Sequence, residues 1–79
     1  MVLVDTLAIG GPSAVQLPAA ASDNARVIVK DSTGAGAANP ITVDGNGSTI
    51  DGAASVPVST NFGVVRLVRD DVAHVWFTV

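Results

Sequence analysis

A chain of 79 residues with no cysteine lacks both usual supports of very small domains, a disulfide framework and a thiolate-bound metal. At this size the apolar surface removed from water and the conformational entropy lost on ordering nearly cancel. The missing margin has to come from elsewhere. Burial against further copies of the same chain is the first candidate.

Residue choice sets the structural class. Val, Thr and Ile, stiff at χ1 and suited to pleated backbone, dominate the sequence. Strong helix formers other than Ala are scarce: there is no Glu, one Lys, one Gln and one Met. The Ala residues cluster beside Gly, Pro and Ser, at Ala19-Ala20-Ala21 and Ala35 to Ala38. Gly and Pro punctuate the chain at the spacing of an all-β domain. The expected fold is a small antiparallel β-sandwich or barrel, associated with further copies of itself, in one domain over residues 1–79. Residues 1–13 form an N-terminal strand or arm with its turn, and residues 14–79 form the β module.

Strands are expected over Leu3 to Ile9, Ala14 to Leu17, Arg26 to Lys30, Ile41 to Val43, Thr49-Ile50, Ser55 to Ser59, Val64 to Arg69 and Val75 to Val79. Between them lie a Gly10-Gly11-Pro12 turn, a polar turn at Ser22-Asp23-Asn24 and a Gly/Ala loop from Ser32 to Asn39. Asp44 to Ser48 forms a tight turn, and Asp51-Gly52 is a hairpin signal.

Alternation assigns the faces at the C-terminus. Val75, Phe77 and Val79 point one way, and His74, Trp76 and Thr78 the other. Val65 and Leu67 oppose Val64, Arg66 and Val68, and Ile28 opposes Val27 and Val29. Both faces of these strands carry large apolar groups, whereas an isolated sandwich normally turns a polar face to water. Val64, Leu67, Val75, Trp76 and Phe77 are therefore candidates for an intersubunit interface or core.

Charge narrows the partners. Net charge −3 and an isoelectric point near 4.5 argue against phosphate backbones and anionic membranes as ligands. No apolar run approaches the roughly 20 residues of a membrane span. Met1 to Asp5 lacks the basic start of a secretion signal, so an unexported, soluble chain is expected.

Candidate chemistry is thin. Asp44-x-Asn46-x-Ser48 places oxygens at alternate positions, as calcium loops do. Thr49 stands where that loop requires glycine and Ser55 where it requires a bidentate carboxylate, so an Asx-Gly turn is the default. His74, with Asp70 and Asp71 nearby, lacks a serine on a recognisable nucleophile turn. Gly34-x-Gly36-x-x-Asn39 breaks the dinucleotide fingerprint at its third glycine. Trp76, Phe62 and Phe77 read either as a sugar-stacking platform or, more economically, as core and interface anchors. The cations Arg26, Lys30, Arg66 and Arg69 read as solvated or intersubunit ion-pair partners. Neither an enzyme nor a cofactor is expected.

The stretch from Arg26-Val-Ile-Val-Lys-Asp31 through Gly34 and Asn39-Pro40-Ile41-Thr42-Val43 to Ile50-Asp51-Gly52-Ala53 resembles a small β-rich module of tailed-bacteriophage virion proteins. That module occurs in capsid decoration (cement) proteins and in head and tail fibres. Leu17-Pro18-Ala19-Ala20 matches its usual opening, and Val64 to Val68 and Trp76 match its closing strands. The similarity spans roughly residues 14–79, and its most specific part is the spacing from Lys30-Asp31 to Ile50-Asp51-Gly52-Ala53. One departure is the turn Asp70-Asp71-Val72-Ala73-His74, longer than the family's and without glycine.

The resemblance implies a homotrimeric structural virion protein that binds other viral proteins. The absence of a shaft-like segment around the module favours a decoration protein on the major capsid protein, made in the host cytoplasm and located on the virion, over a receptor- or glycan-binding module of a tail fibre or spike. Met1, Val2, Leu3, Val4, Gly34, Gly36 and Asn39, apolar or short-side-chained, are the candidates for capsid contact.

Overall fold

A computed structural model describes residues 1–18, 25–70 and 72–79. The turn expected at Ser22-Asp23-Asn24, the Ala19-Ala20 part of the module opening and Asp71 lie outside the described residues. The elements run β1 (Val2–Val4), α1 (Thr6–Ile9), β2 (Ser13–Gln16), β3 (Arg26–Asp31), β4 (Ile41–Asp44), β5 (Ser55–Val58), β6 (Val64–Asp70) and β7 (Val75–Thr78). They form a four-stranded sheet in the order β1-β3-β6-β7 and a three-stranded sheet in the order β2-β4-β5. The all-β expectation holds, with one helical turn.

Two expectations are corrected. The first strand does not run to Ile9: it stops at Val4 and gives way to α1. Asp5 caps that turn, its Oδ1 accepting the Ala8 N–H at 3.0 Å, and Gly10 closes it in the left-handed region at φ 71°. Nor are the sheets purely antiparallel. β1 pairs parallel with β3 and β2 parallel with β4, whereas β3–β6, β6–β7 and β4–β5 are antiparallel. The first four strands alternate between the two sheets. A chain that leaves a sheet, crosses the other and returns comes back in its original direction, and parallel pairing requires such a crossover.

The turn chemistry forms as read. Asp44 Oδ1 accepts the Asn46 N–H at 3.1 Å in an Asx turn. Ile50 and Ala53 pair in a single antiparallel bridge around Asp51 (φ 49°) and Gly52 (φ 86°), the positive φ at both central residues that a type I′ turn requires. Thr49-Ile50 is thus shorter than the expected strand, because Ile50 pairs through bridges alone. The second of these runs to Trp76, with the Trp76 N–H donating to Thr49 O at 2.8 Å and the Asp51 N–H to Trp76 O at 3.0 Å. Asp51 Oδ1 also accepts the Thr78 N–H at 3.2 Å, and Oδ2 accepts the Thr78 hydroxyl. The connection between β4 and β5 therefore covers the free edge of β7, which would otherwise be open to strand addition. In the last hairpin His74 takes φ 56°, supplying the left-handed residue that the missing glycine would have supplied.

Both sheets contribute to one core: Val4, Val29, Leu67 and Trp76 from the four-stranded sheet, Ile41, Val43 and Val58 from the other, with Leu17 and Ile50. Trp76 is the largest fully buried side chain, and Arg69, itself buried, lies 5.8 Å from its ring. Arg69 Nη1 donates to Ser48 Oγ at 3.0 Å, joining β6 to the Asx turn. Burying a tryptophan of about 200 Å² contributes on the order of 5 kcal/mol. Trp76→Ala is expected to lose about 3–5 kcal/mol in denaturant unfolding, whereas Phe77→Ala, one residue on and facing outward, loses less than about 1 kcal/mol.

Candidate binding surface

The β pairing sorts every side chain of the four-stranded sheet to one of two faces. Leu3, Lys30 and Val64 lie in one cross-strand row; Ile28 and Arg66 lie in the next, joined by Val79, whose N–H donates to Arg66 O at 3.0 Å. Arg26, Val68 and Phe77 form the third. None of these side chains is in the core. Leu3 is 60% exposed, Val64 and Phe77 each 44%, and Val79 73%. The outer face of the three-stranded sheet differs in kind. There Ala14, Thr42 and Pro57 form one row and Gln16, Asp44 and Ser55 another, a small and polar surface that water covers at little cost. The three strands expected to carry apolar groups on both faces all belong to the four-stranded sheet. The outer row positions of that sheet also hold three of the chain's four cations; the fourth, Arg69, faces the core.

The residues expected at a trimer interface or core separate accordingly. Leu67 and Trp76 are core, Val64 and Phe77 are exposed outward, and Val75 is half-buried beside Asp70 on the same outer face. Since the Trp76 ring is fully buried, it cannot stack on a sugar, and Phe62 and Phe77 are the aromatic rings at the surface. Among the residues expected to touch a capsid, Met1 and Leu3 are exposed, Val2 lies at the margin and Val4 is buried in the core.

The Gly/Ala loop has its own internal organisation, centred on Asp31. This carboxylate is fully buried, and among the described residues no cation lies against it. Oδ1 accepts from Thr6 Oγ1 at 2.6 Å and from the N–H groups of Gly34 at 3.0 Å and Thr33 at 3.2 Å. Oδ2 accepts from the N–H groups of Gly36 at 2.8 Å and Phe62 at 3.0 Å. Three separate segments thereby converge on one side chain. Thr6 Oγ1 in turn accepts the Ala35 N–H at 3.1 Å, and the Asn39 amide donates to Thr6 O at 2.9 Å. Gly36 is buried, and a Cβ there would lie 2.6 Å from Thr60 O and 2.9 Å from Asp31 Oδ2. Gly34 lies against the Phe62 ring, where a Cβ would come within 2.5 Å. Gly34, Gly36 and Asn39 thus help hold the loop to its own protein, Gly36 buried and the other two half-buried. Thr6 and Asp31 were missed as key residues by the sequence reading. The signal available was Asp31 at the start of a run of small residues whose N–H groups are free to wrap a carboxylate.

Burial alone would raise the Asp31 pKa; the hydrogen bonds from Thr6 Oγ1 and from the N–H groups of Phe62, Gly36 and Gly34 outweigh it and hold the carboxyl well below its ordinary value of 3.8. With the folded-state pKa below the unfolded one, this stabilisation is complete above the unfolded pKa and is lost progressively as the pH falls from there through the folded-state pKa. Thermal unfolding as a function of pH should therefore show stability declining below about pH 4. Asp31→Asn should lower the melting temperature at pH 7 and flatten that acid limb.

Neither a protein-family model nor a curated protein sequence matches the chain.

Proposed function

We propose that this chain is a structural virion protein of a tailed bacteriophage, a homotrimeric capsid decoration (cement) protein that binds and stabilises the shell of major capsid protein. The subunit is then a small β-sandwich, its two sheets packed across the shared core. The observation that carries the reading is the outer face of the four-stranded sheet, where Leu3, Val64, Phe77 and Val79 stand exposed beside half-buried Ile28 and Val68. Contiguous apolar surface of this kind on a small domain marks a site of protein contact. A second support comes from the positions that carry the family resemblance. Asp31 gathers three segments of the chain, and Ile50 to Ala53 covers the edge of β7. The matched residues are those on which this fold depends, rather than incidental β composition.

In this reading each trimer spans neighbouring shell subunits. Several modest contacts made at once give strong retention, because each further contact is intramolecular. A bridging trimer of that kind opposes the outward pressure of a packaged genome.

Sedimentation equilibrium of the purified chain at micromolar concentration should give about three times the 7.9 kDa chain mass. A stable monomer at that concentration would contradict the trimer. Cryo-electron microscopy of virions separates copies that decorate the shell from a few copies at the tail. Specific glycan binding by the purified chain, lost in Phe77→Ala, would favour a receptor-binding fibre module instead.

A further inference from the structure

Three cations on the outer face of one sheet, in a chain of net charge −3, are a strongly uneven distribution. Lys30 is already engaged: its Nζ donates to Phe62 O at 2.7 Å and lies 6.0 Å from the Phe62 ring centroid. Arg26 and Arg66 differ from it. Both are exposed, and among the described residues neither side chain has a hydrogen-bond or ion-pair partner. Arg26 pairs with Val68 and Arg66 with Ile28, so the two guanidiniums are diagonal neighbours on adjacent strands. Between them lies a shallow depression whose apolar lining comes from Ile28, Val68 and Val79. Asp70, the acidic residue at the end of this face, has its Oδ1 occupied by the Val72 N–H at 3.0 Å.

We propose that this face docks an acidic, apolar-studded surface of a second, different protein, with Arg26 and Arg66 each taking a carboxylate and the depression between them taking an aliphatic side chain. The inference rests on the capsid reading only in naming that protein as the shell subunit; the chemistry of the contact follows from the face itself. A guanidinium matches a carboxylate in shape as well as charge. Turning the face onto the same face of another copy would set Arg26 and Arg66 against their counterparts, and like charges opposed across strands are destabilising. Charge complementarity therefore selects a carboxylate-bearing partner, and opposite charges also orient the encounter.

The probe is an acetylated, amidated peptide of alternating glutamate and leucine, titrated into the isotope-labelled chain and followed by NMR, with the glutamine–leucine peptide as control. The glutamate peptide should shift amides of β3 and β6 in a salt-sensitive manner. The double variant Arg26→Gln/Arg66→Gln should bind it about tenfold more weakly. Its melting temperature and its sedimentation mass should stay unchanged, since both side chains are exposed. Equal binding of the glutamine peptide, or no shift of β3 and β6 up to millimolar peptide, would overturn the proposal. A changed sedimentation mass in the double variant would overturn it as well, by showing that a second copy covers the face. A wild-type chain that sediments as a monomer yet binds the peptide as expected would sink the trimer and leave this inference standing.

Discussion

A buried carboxylate with no cation beside it is tolerable only when its oxygens are saturated by donors, and Asp31 meets that condition by drawing two distant residues, Thr6 and Phe62, onto itself together with the loop that follows it. The consequence for architecture is direct. Thr6 is pulled inward, so the chain after β1 turns into a short helical segment instead of continuing as strand. The Gly/Ala loop wraps the carboxylate with its N–H groups, and Phe62 closes it from the turn before β6. Gly36 has to be glycine because the backbone at Thr60 comes too close for a side chain. In a domain with so small a core, this polar centre does what a disulfide does elsewhere, fixing loops that hydrophobic burial does not reach.

The two sheets share one core but present opposite surfaces to the outside. On the three-stranded sheet the outward positions are small or polar, and that surface is complete in water. On the four-stranded sheet they alternate apolar groups with cations, and Arg26 and Arg66 have no side-chain partner among the described residues. The two outer surfaces therefore differ in kind. In the proposed role, retention would rest on how well the apolar area and charge of the second surface match what it meets.

Most of the strands could be placed from local signals. Arg26 to Lys30, Ile41 to Val43 and Val64 to Arg69 are β-branched runs bounded by turn residues, and their counterparts appear within a residue at each end. That Trp76 and Phe77 face opposite ways followed from simple alternation; which of them enters the core did not. What escaped was the helical turn at Thr6 to Ile9, where the apolar pattern of Leu7, Ala8 and Ile9 suits a strand as well as a helix. Also missed was the grouping of the cations. Arg26 and Arg66 are far apart in the chain, and only the antiparallel register of β3 with β6 makes them neighbours.

By itself, then, the amino-acid order determined the all-β character, the turns at Asp44 to Ser48 and Asp51-Gly52, and which side chains of a strand share a face. These follow from backbone preferences that a few adjacent residues express on their own. Which strands meet, in which direction, and which outer face is left apolar and basic were decided only by the tertiary structure. The parallel pairing of β1 with β3 and of β2 with β4, the Asp31 centre and the three-row outer face all join residues far apart in the chain, and no local preference encodes a contact of that kind.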